Sequence, residues 1–277
     1  MRRRMRWTGL WSGWIISALL LVGCGGSTAG SNASTGVSPQ TGQSAASQGT
    51  GKVLTVATNA TFVPFESVDQ NNQIVGFDID IWKAIADQEK LQYKIENVDF
   101  NGIVTGVQTG RYDFGISGIT ITDERKQAVA FSEPYYHEGL IIAVKKGATG
   151  ISKPADLAGK TVGVQLGTTG AQWTQEHLKQ SQIKTFDQST DAFLALKNGQ
   201  VDAVINDEPN TAYYIQQGNP EVMMVGNLLT GEDYGIAVSK QNQQLLNQIN
   251  EGLRAIRQNG TYDKIYEKWF GEKPPAS

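Results

Sequence analysis

The chain has 277 residues, with 24 Lys and Arg, 27 Asp and Glu, and a formal net charge of −3. Acidic and basic residues are interspersed without a basic stripe, which argues against nucleic acid as a partner. A single cysteine excludes an internal disulfide, so an oxidising compartment is compatible with the sequence without being required by it.

The N-terminus has the features of a lipoprotein signal peptide. Four arginines among the first six residues precede an apolar run from Leu10 to Val22. This run is shorter than the ~20 apolar residues of a membrane-spanning helix. It ends at Gly23 before Cys24, which predicts cleavage and attachment of a lipid to the Cys24 thiol. Residues 1–24 are therefore predicted to be a lipoprotein signal peptide, and the lipid on Cys24 would anchor a bacterial protein to the outer face of its cell membrane. The alternative is a plain secretory signal in which Cys24 is incidental.

The next segment, residues 25–51, consists almost entirely of Gly, Ser, Thr, Ala, Gln and Asn. It has no periodic apolar face and is typical of a flexible tether. A poorly ordered start of the following domain is the alternative interpretation.

An internal repeat predicts the organisation of the remaining chain. Segments 109–117 and 198–206 have the same spacing, with a Gly at a helix end, an Asp three residues later and an apolar strand. Upstream, residues 53–57 and 161–164 both have the pattern of opening strands. Each half is therefore predicted to be a β-α-β-α-β unit.

Strands that alternate with helices predict an α/β fold of two lobes, each a mostly parallel sheet flanked by helices. A helix is expected at about 78–88, where Ile79, Trp82, Ile85 and Ala86 form a core-facing stripe. The chain is expected to cross between the lobes twice, which permits a hinge. The predicted boundaries are lobe 1 at 52–135 and 235–277, lobe 2 at 140–229, and hinge segments at 136–139 and 230–234.

Ligands of open α/β sheets bind beyond the carboxyl ends of the strands. The candidate binding residues at these ends are Asn59, Phe62, Phe100, Ser117, Gly118, Thr120, Arg125, Gln165, Thr169, Asn206 and Asp207. The guanidinium of Arg125 suits a carboxylate, and Asp207 can accept hydrogen bonds from an ammonium group. Together they fit a zwitterion. The structural alternatives are a helix-surface ion pair for Arg125 and a helix N-cap for Asp207.

Four motifs carry a resemblance to a known family. They are VATNATFVPFE at 56–66, VGFDID at 75–80, GITITDER at 118–125 and YDKIYEKWFG at 262–271. The chain resembles the periplasmic-binding-protein superfamily of type II fold over residues 52–275. Within it, the chain looks most similar to the polar amino acid receptors of ABC importers, and above all to their glutamine-binding members. The resemblance implies a monomer that delivers an amino acid to ABC permease subunits.

The resemblance also implies roles for the candidate residues. It implies a group that binds the α-carboxylate, formed by Arg125, Thr120 and the backbone at Ser117 and Gly118. Asp207 would bind the α-ammonium, while Phe62 and Phe100 would sandwich the ligand side chain.

Asn59 and Gln165 are the positions that bear on ligand choice. The family usually has an acid at Asn59, where it holds the distal group of the ligand, and its glutamine receptor has a lysine at Gln165. Two neutral amides favour glutamine, because a buried guanidinium or ammonium would lack a counter-charge. Asn59→Asp is then expected to shift preference toward arginine and lysine. A receptor for arginine, lysine or histidine remains the alternative, with water or Glu66 compensating.

The sequence predicts a binding protein with no catalytic residue, cofactor or metal site. His137 and His177 are far apart and are expected to be surface or structural residues. The main rival is a dehydratase on the same fold, which would need a general acid such as Glu66, Glu208 or Glu232. A sensor whose closed form engages a receptor is a second alternative.

Overall fold

The computed structural model describes residues 52–275. The predicted signal peptide, Cys24 and the predicted tether lie outside these residues. Within 52–275, no helix combines the length and the apolar character needed to cross a membrane.

The described residues form fifteen strands and eight α-helices. The strands are β1 (Leu54–Thr58), β2 (Thr61–Phe62), β3 (Glu66–Val68), β4 (Ile74–Val75), β5 (Tyr93–Asn97), β6 (Phe114–Gly115), β7 (Ala130–Phe131), β8 (Tyr136–Glu138), β9 (Leu140–Lys145), β10 (Thr161–Gln165), β11 (Gln182–Phe186), β12 (Ala203–Asp207), β13 (Val222–Val225), β14 (Glu232–Tyr234) and β15 (Ala237–Val238). The helices are α1 (Phe77–Glu89), α2 (Ile103–Gln108), α3 (Asp123–Ala128), α4 (Thr169–His177), α5 (Ser189–Lys197), α6 (Glu208–Gln216), α7 (Gln243–Gln258) and α8 (Thr261–Phe270).

Two five-stranded sheets form the framework, and they have equivalent strand orders. The first sheet has the order β5-β1-β6-β15-β7, and the second has the order β11-β10-β12-β9-β13. In each sheet the three strands of the β-α-β-α-β unit pair in parallel, and the other two strands join through antiparallel pairs. Four of the five strands in each sheet therefore run in one direction, and β15 in the first sheet and β9 in the second run in the opposite direction. The two-lobed α/β fold is present, and each sheet is mixed because of this one reversed strand.

The internal repeat has a defined structural basis. The Oδ2 atom of Asp113 accepts from the Thr55 backbone N–H at 2.8 Å, and Oδ2 of Asp202 accepts from the N–H of Thr161 at 2.8 Å. In both cases the Asp ties the strand that follows it to the opening strand of its unit. Gly110 and Gly199 follow helix ends with φ of 78° and 70°, the left-handed conformation predicted for both.

Helix α1 confirms the predicted apolar stripe, because all four of its predicted core residues are buried. Trp82 is fully buried and packs against Phe114, with ring centroids 4.2 Å apart. The C-terminal helices α7 and α8 cover the same face of the first sheet. The opposite face packs against α2, so helices flank both sides of this sheet.

Two strands lie outside both large sheets and pair with each other. β8 and β14 are antiparallel, with Glu138 opposite Glu232 and Tyr136 opposite Tyr234. β8 immediately precedes the second sheet's β9, and β14 follows that sheet's last strand, β13. The chain therefore passes between the sheets through two adjacent, hydrogen-bonded strands.

Candidate functional site

A small cavity of about 240 Å³ of empty space lies at the carboxyl ends of strands from both sheets. Its lining residues are Phe62, Phe100, Ser117, Gly118, Thr120, Arg125, Gln165, Thr168, Thr169 and Asp207. Nine of these ten residues were singled out from the sequence, and the structure brings them together around one cavity. Asn59 and Asn206 were also singled out, but they do not line it.

Arg125 is the cationic group of the cavity. Its Nη1 donates to the Thr120 carbonyl at 2.8 Å, and its Nη2 donates to the Gly167 carbonyl at 2.9 Å. The guanidinium carbon also lies 5.5 Å from the centroid of the Phe100 ring. Burial lowers the pKa of Arg125, and the charge of Asp207 opposes this effect. A guanidinium has five N–H donors, so the held side chain keeps donors for a carboxylate in the cavity.

The N-terminus of α4 contributes a second group of anion-binding donors. Thr168 caps this helix by accepting from the Ala171 N–H at 3.1 Å, and Thr169 is its first residue. Backbone N–H groups in the first turn of a helix have no partner within the helix, and they carry partial positive charge. Both residues line the cavity beside Arg125, so this end of it is suited to a carboxylate.

Asp207 is the anionic group of the cavity. It ends β12, and one carboxylate oxygen accepts a short hydrogen bond from the Tyr234 hydroxyl. Burial raises the pKa of Asp207 to about 7, with Glu232 adding to the rise and with Tyr234 and Arg125 opposing it. An ammonium group bound here would supply the positive charge that an ionised Asp207 needs.

Ser117 and Gly118 direct their donors away from the cavity. The Ser117 hydroxyl donates to Glu66 Oε1 at 2.9 Å, and the Gly118 N–H donates to Asp78 Oδ2 at 2.8 Å. The Gly118 N–H is therefore engaged by Asp78 rather than left for a ligand carboxylate, while the role implied for the Ser117 backbone stays a prediction.

Asn59 lies behind the cavity wall in a network of amides. Its Nδ2 donates to the Val98 carbonyl at 2.9 Å and to Gln188 Oε1 at 3.0 Å. Its Oδ1 accepts from Thr61 Oγ1 at 3.0 Å and from Gln165 Nε2 at 3.2 Å. Asn59 is 2% exposed, and its hydrogen-bonding capacity is filled by protein groups.

Gln165 is the amide of this network that lines the cavity. Its Nε2 donates to Asn59 Oδ1 and to the Asp187 carbonyl at 3.0 Å. A backbone carbonyl can only accept, which fixes the orientation of the amide. Both N–H groups of Gln165 are thus used, and the oxygen Oε1 is the atom left for a ligand. This wall of the cavity accepts hydrogen bonds without carrying a charge.

Asn206 has a structural role next to the site. Its Nδ2 donates to Asn210 Oδ1 at 2.7 Å, and Asn210 in turn donates to the Val63 carbonyl of the first half of the chain. Thr168 is the lining residue that the sequence selection missed. A Thr directly before a predicted helix is an N-cap signal, which would have identified it.

Two further acidic residues lie near Asp207. Glu232 accepts from the Thr169 hydroxyl at 2.8 Å, and Glu138 faces Glu232 across the paired strands β8 and β14. Burial raises the pKa of Glu138 to about 11, and the charges of Asp207 and Glu232 add to the rise. Glu138 therefore holds a proton at neutral pH. Among residues 52–275, no group of three His, Cys, Asp or Glu side chains could hold a metal ion.

The family is established by comparison with known proteins. The family of bacterial extracellular solute-binding proteins, family 3, matches residues 54–272. The chain belongs to this family.

Relatives and solved structures agree with this assignment. ABC transporter arginine-binding protein 1 of Escherichia coli strain K12 is 36% identical over 217 residues, which cover 76% of this chain and 88% of that protein. An ancestral arginine-binding protein bound to glutamine is 48% identical, with a TM-score of 0.76 over 79% of this chain and 98% of that chain. An arginine-, lysine-, histidine-binding protein from Geobacillus stearothermophilus is 37% identical, with a TM-score of 0.77 over 81% of this chain and 97% of that chain.

Proposed function

We propose that this solute-binding protein captures a polar L-amino acid in the cavity and presents it to the permease subunits of an ABC importer. Three charged or dipolar groups support an amino acid ligand. Arg125 and the N-terminus of α4 are suited to the α-carboxylate, and Asp207 is suited to the α-ammonium. The relatives described above are named for amino acid binding, and none of them is named as an enzyme.

We propose further that glutamine is the preferred ligand. The observation that carries this preference is the fixed amide of Gln165, whose oxygen accepts without charge. It matches the NH₂ group of a glutamine side chain. Among the described residues, Asp207 is the one carboxylate that lines the cavity, and it lies close enough to Arg125 for their charges to interact. A guanidinium or ammonium at the Gln165 end would lose hydration without gaining a counter-charge.

Arginine is the second candidate, because several relatives are named for arginine binding and because Gln165 Oε1 also suits a guanidinium. The faces of Phe62 and Phe100 would add cation–π attraction of ~0.5–2 kcal/mol. The resemblance to an ancestral protein that is named for arginine yet bound to glutamine makes direct competition between these two ligands the informative measurement.

Isothermal titration calorimetry on a purified fragment of residues 51–277 tests both proposals, amino acid binding and the preference for glutamine. We expect L-glutamine to bind more tightly than L-arginine or L-lysine, and L-glutamate to bind weakly, because its carboxylate would face the Gln165 oxygen. Arginine binding more tightly than glutamine would refute the preference. Failure of all twenty amino acids to bind would refute the amino acid proposal itself.

We propose the following setting for this activity. A lipid on Cys24 holds a monomeric protein at the outer face of the cell membrane through the segment 25–51. The lobes 52–135 with 235–277 and 140–229 close around the ligand by bending at 136–139 and 230–234. The contacts of Arg125 with Gly167 and of Gln165 with Asn59 join the two proposed lobes and would form on closure. The surface created by closure would then be the one that the permease recognises in the loaded protein.

A further inference from the structure

Two carboxyl groups lie fully buried beneath the loop that runs from Ser117 to Thr120. Glu66 belongs to β3 and Asp78 to α1, and both residues are 0% exposed. Within residues 52–275, neither carboxyl forms a salt bridge with Lys, Arg or His. The titratable groups that face them are each other, the hydroxyl of Tyr135 and, on the side of Asp78, the hydroxyl of Tyr262.

The pair holds the loop through several hydrogen bonds. Asp78 Oδ2 accepts from the Gly118 N–H at 2.8 Å and from the Tyr135 hydroxyl at 2.7 Å. Glu66 Oε1 accepts from the Ser117 hydroxyl at 2.9 Å, and that hydroxyl accepts from the Asn59 N–H at 2.9 Å. The carboxyls thus fix the donors at the start of the loop, which are not used by the ligand site.

The other two carboxyl oxygens, Glu66 Oε2 and Asp78 Oδ1, are also buried, and no described N–H or hydroxyl group donates to either of them. Two buried carboxylates without a cation are strongly unfavourable, so the pair is expected to retain one proton.

The titration behaviour agrees with this geometry. Burial raises the pKa of Glu66 well above its usual 4.5, and the charge of Asp78 raises it further. Burial also raises the pKa of Asp78 to about 6, but hydrogen bonds from Gly118 and Tyr135 oppose the rise. Glu66 is therefore the residue that carries the proton at neutral pH, and Asp78 is the ionised acceptor.

We propose that Glu66 and Asp78 share one proton and act as positioning residues for ligand binding. The pair holds Gly118, a cavity-lining residue, at φ 51° with its N–H bonded to Asp78. This conformation also places Gly118 against the Phe62 ring, where an added Cβ would lie 2.9 Å from a ring carbon. The pair thereby sets the backbone geometry at Gly118 and the position of Phe62, and neither carboxyl lines the cavity itself.

Thermal unfolding of the ligand-free protein against pH is the first test. Glu66 has a folded pKa above its unfolded value, so the stability of wild type is lost as pH rises above about 4.5 toward the folded pKa. Glu66→Gln has no such proton and can donate its amide to Asp78. We expect the melting temperature of Glu66→Gln, relative to wild type, to increase steadily from about pH 5 to pH 9. Asp87→Ala, at an exposed position of α1, should keep the wild-type profile.

Binding of L-glutamine and L-arginine is the second test, and this test alone rests on the proposed function. Glu66→Ala removes the carboxyl that accepts from the Ser117 hydroxyl and that shares a proton with Asp78. We expect the affinities for both ligands to fall at least about tenfold. Glu66→Gln replaces both bonds, and we expect affinities within about threefold of wild type at neutral pH. The affinity of wild type relative to Glu66→Gln should decrease as pH rises.

The two tests fail separately. If wild type binds neither ligand, the proposed function fails, while the unfolding profiles still decide whether the pair shares a proton. A constant melting difference between wild type and Glu66→Gln across this pH range overturns the shared proton. Wild-type affinity in a folded Glu66→Ala, or a loss in Glu66→Gln equal to that in Glu66→Ala, overturns the positioning role.

Discussion

If the proposed preference for glutamine arises from the neutral cavity wall, Gln165→Glu, which adds one negative charge there, should change it. In the wild type the exposed Oε1 of Gln165 is a neutral acceptor. A carboxylate about 4 Å from a bound guanidinium gives about 4 kcal/mol of Coulomb attraction at an effective dielectric constant of about 20. Desolvation of both charges offsets part of this gain. We expect a net shift of about 2 kcal/mol in favour of arginine over glutamine, or roughly 30-fold in the ratio of affinities.

The substitution also removes two hydrogen bonds, so the ratio of affinities is the measured quantity. Glutamate cannot donate to Asn59 Oδ1 or to the Asp187 carbonyl, which should weaken both ligands by similar factors of about 10-fold. Gln165→Met loses the same bonds without adding charge and is the matched control. Calorimetry at about pH 8 keeps the new carboxyl ionised.

A second control distinguishes the effect of a charge at Gln165, which lines the cavity, from the effect of a charge at Asn59, which lies behind it. Asn59→Asp places a carboxyl group behind Gln165, where Nδ2 of the wild-type Asn59 donates to the Val98 carbonyl and to Gln188 Oε1. We expect both ligands to bind more weakly and the ratio to stay within about threefold, because a carboxyl group buried there without a cation favours its neutral form. This differs from the sequence-based expectation that Asn59 sets the preference. The reasoning fails if Gln165→Glu leaves the ratio unchanged, or if Asn59→Asp shifts it as strongly.

Three further predictions test other parts of the molecule. Arg125→Ala should weaken amino acid binding by about 100-fold or more, since truncating one partner of a buried charge pair costs ~2–5 kcal/mol, whereas exposed Lys126→Ala should have no effect in calorimetry. Cys24→Ala should move the protein from the membrane fraction to the soluble fraction, and its retention in the membrane would contradict lipid anchoring. Gly76→Ala should destabilise the fold by more than about 2 kcal/mol in urea unfolding, because its Cβ would lie 1.9 Å from the Phe65 carbonyl oxygen; an unchanged midpoint would argue against this packing.

Much of the fold could be predicted because the two halves repeat the same local signals. Gly110 and Gly199 required left-handed backbone at helix ends, and the Asp three residues later marked the next strand in both halves. The strands added by antiparallel pairing were harder to predict. β7 and β15 have only two residues each, and so short a strand has no readable alternation. The reversed direction of β15 in the first sheet was therefore not predicted.

The candidate site could be predicted to the level of residues but not of atoms. Position at the end of a strand was enough to select Gln165 and Asp207, and the chemistry of a guanidinium close to that edge selected Arg125. It could not tell that Asn59 points its amide at other protein groups, because that depends on Gln188, which lies 129 residues away in the chain. Buried acids such as Glu138 were missed for the same reason, since their burial arises only when distant strands pair.

The order of strands in the first sheet has a consequence for how the chain folds as it is made. The second sheet is built from one continuous stretch, with all of its strands between Leu140 and Val225. The first sheet cannot close until β15, near residue 237, takes its place between β6 and β7. Synthesis proceeds from the N-terminus, so the half that begins first is completed last. Until that late strand arrives, β7 has no strand to pair with and the edge of β6 stays open, so we expect the first lobe to remain incompletely folded during synthesis.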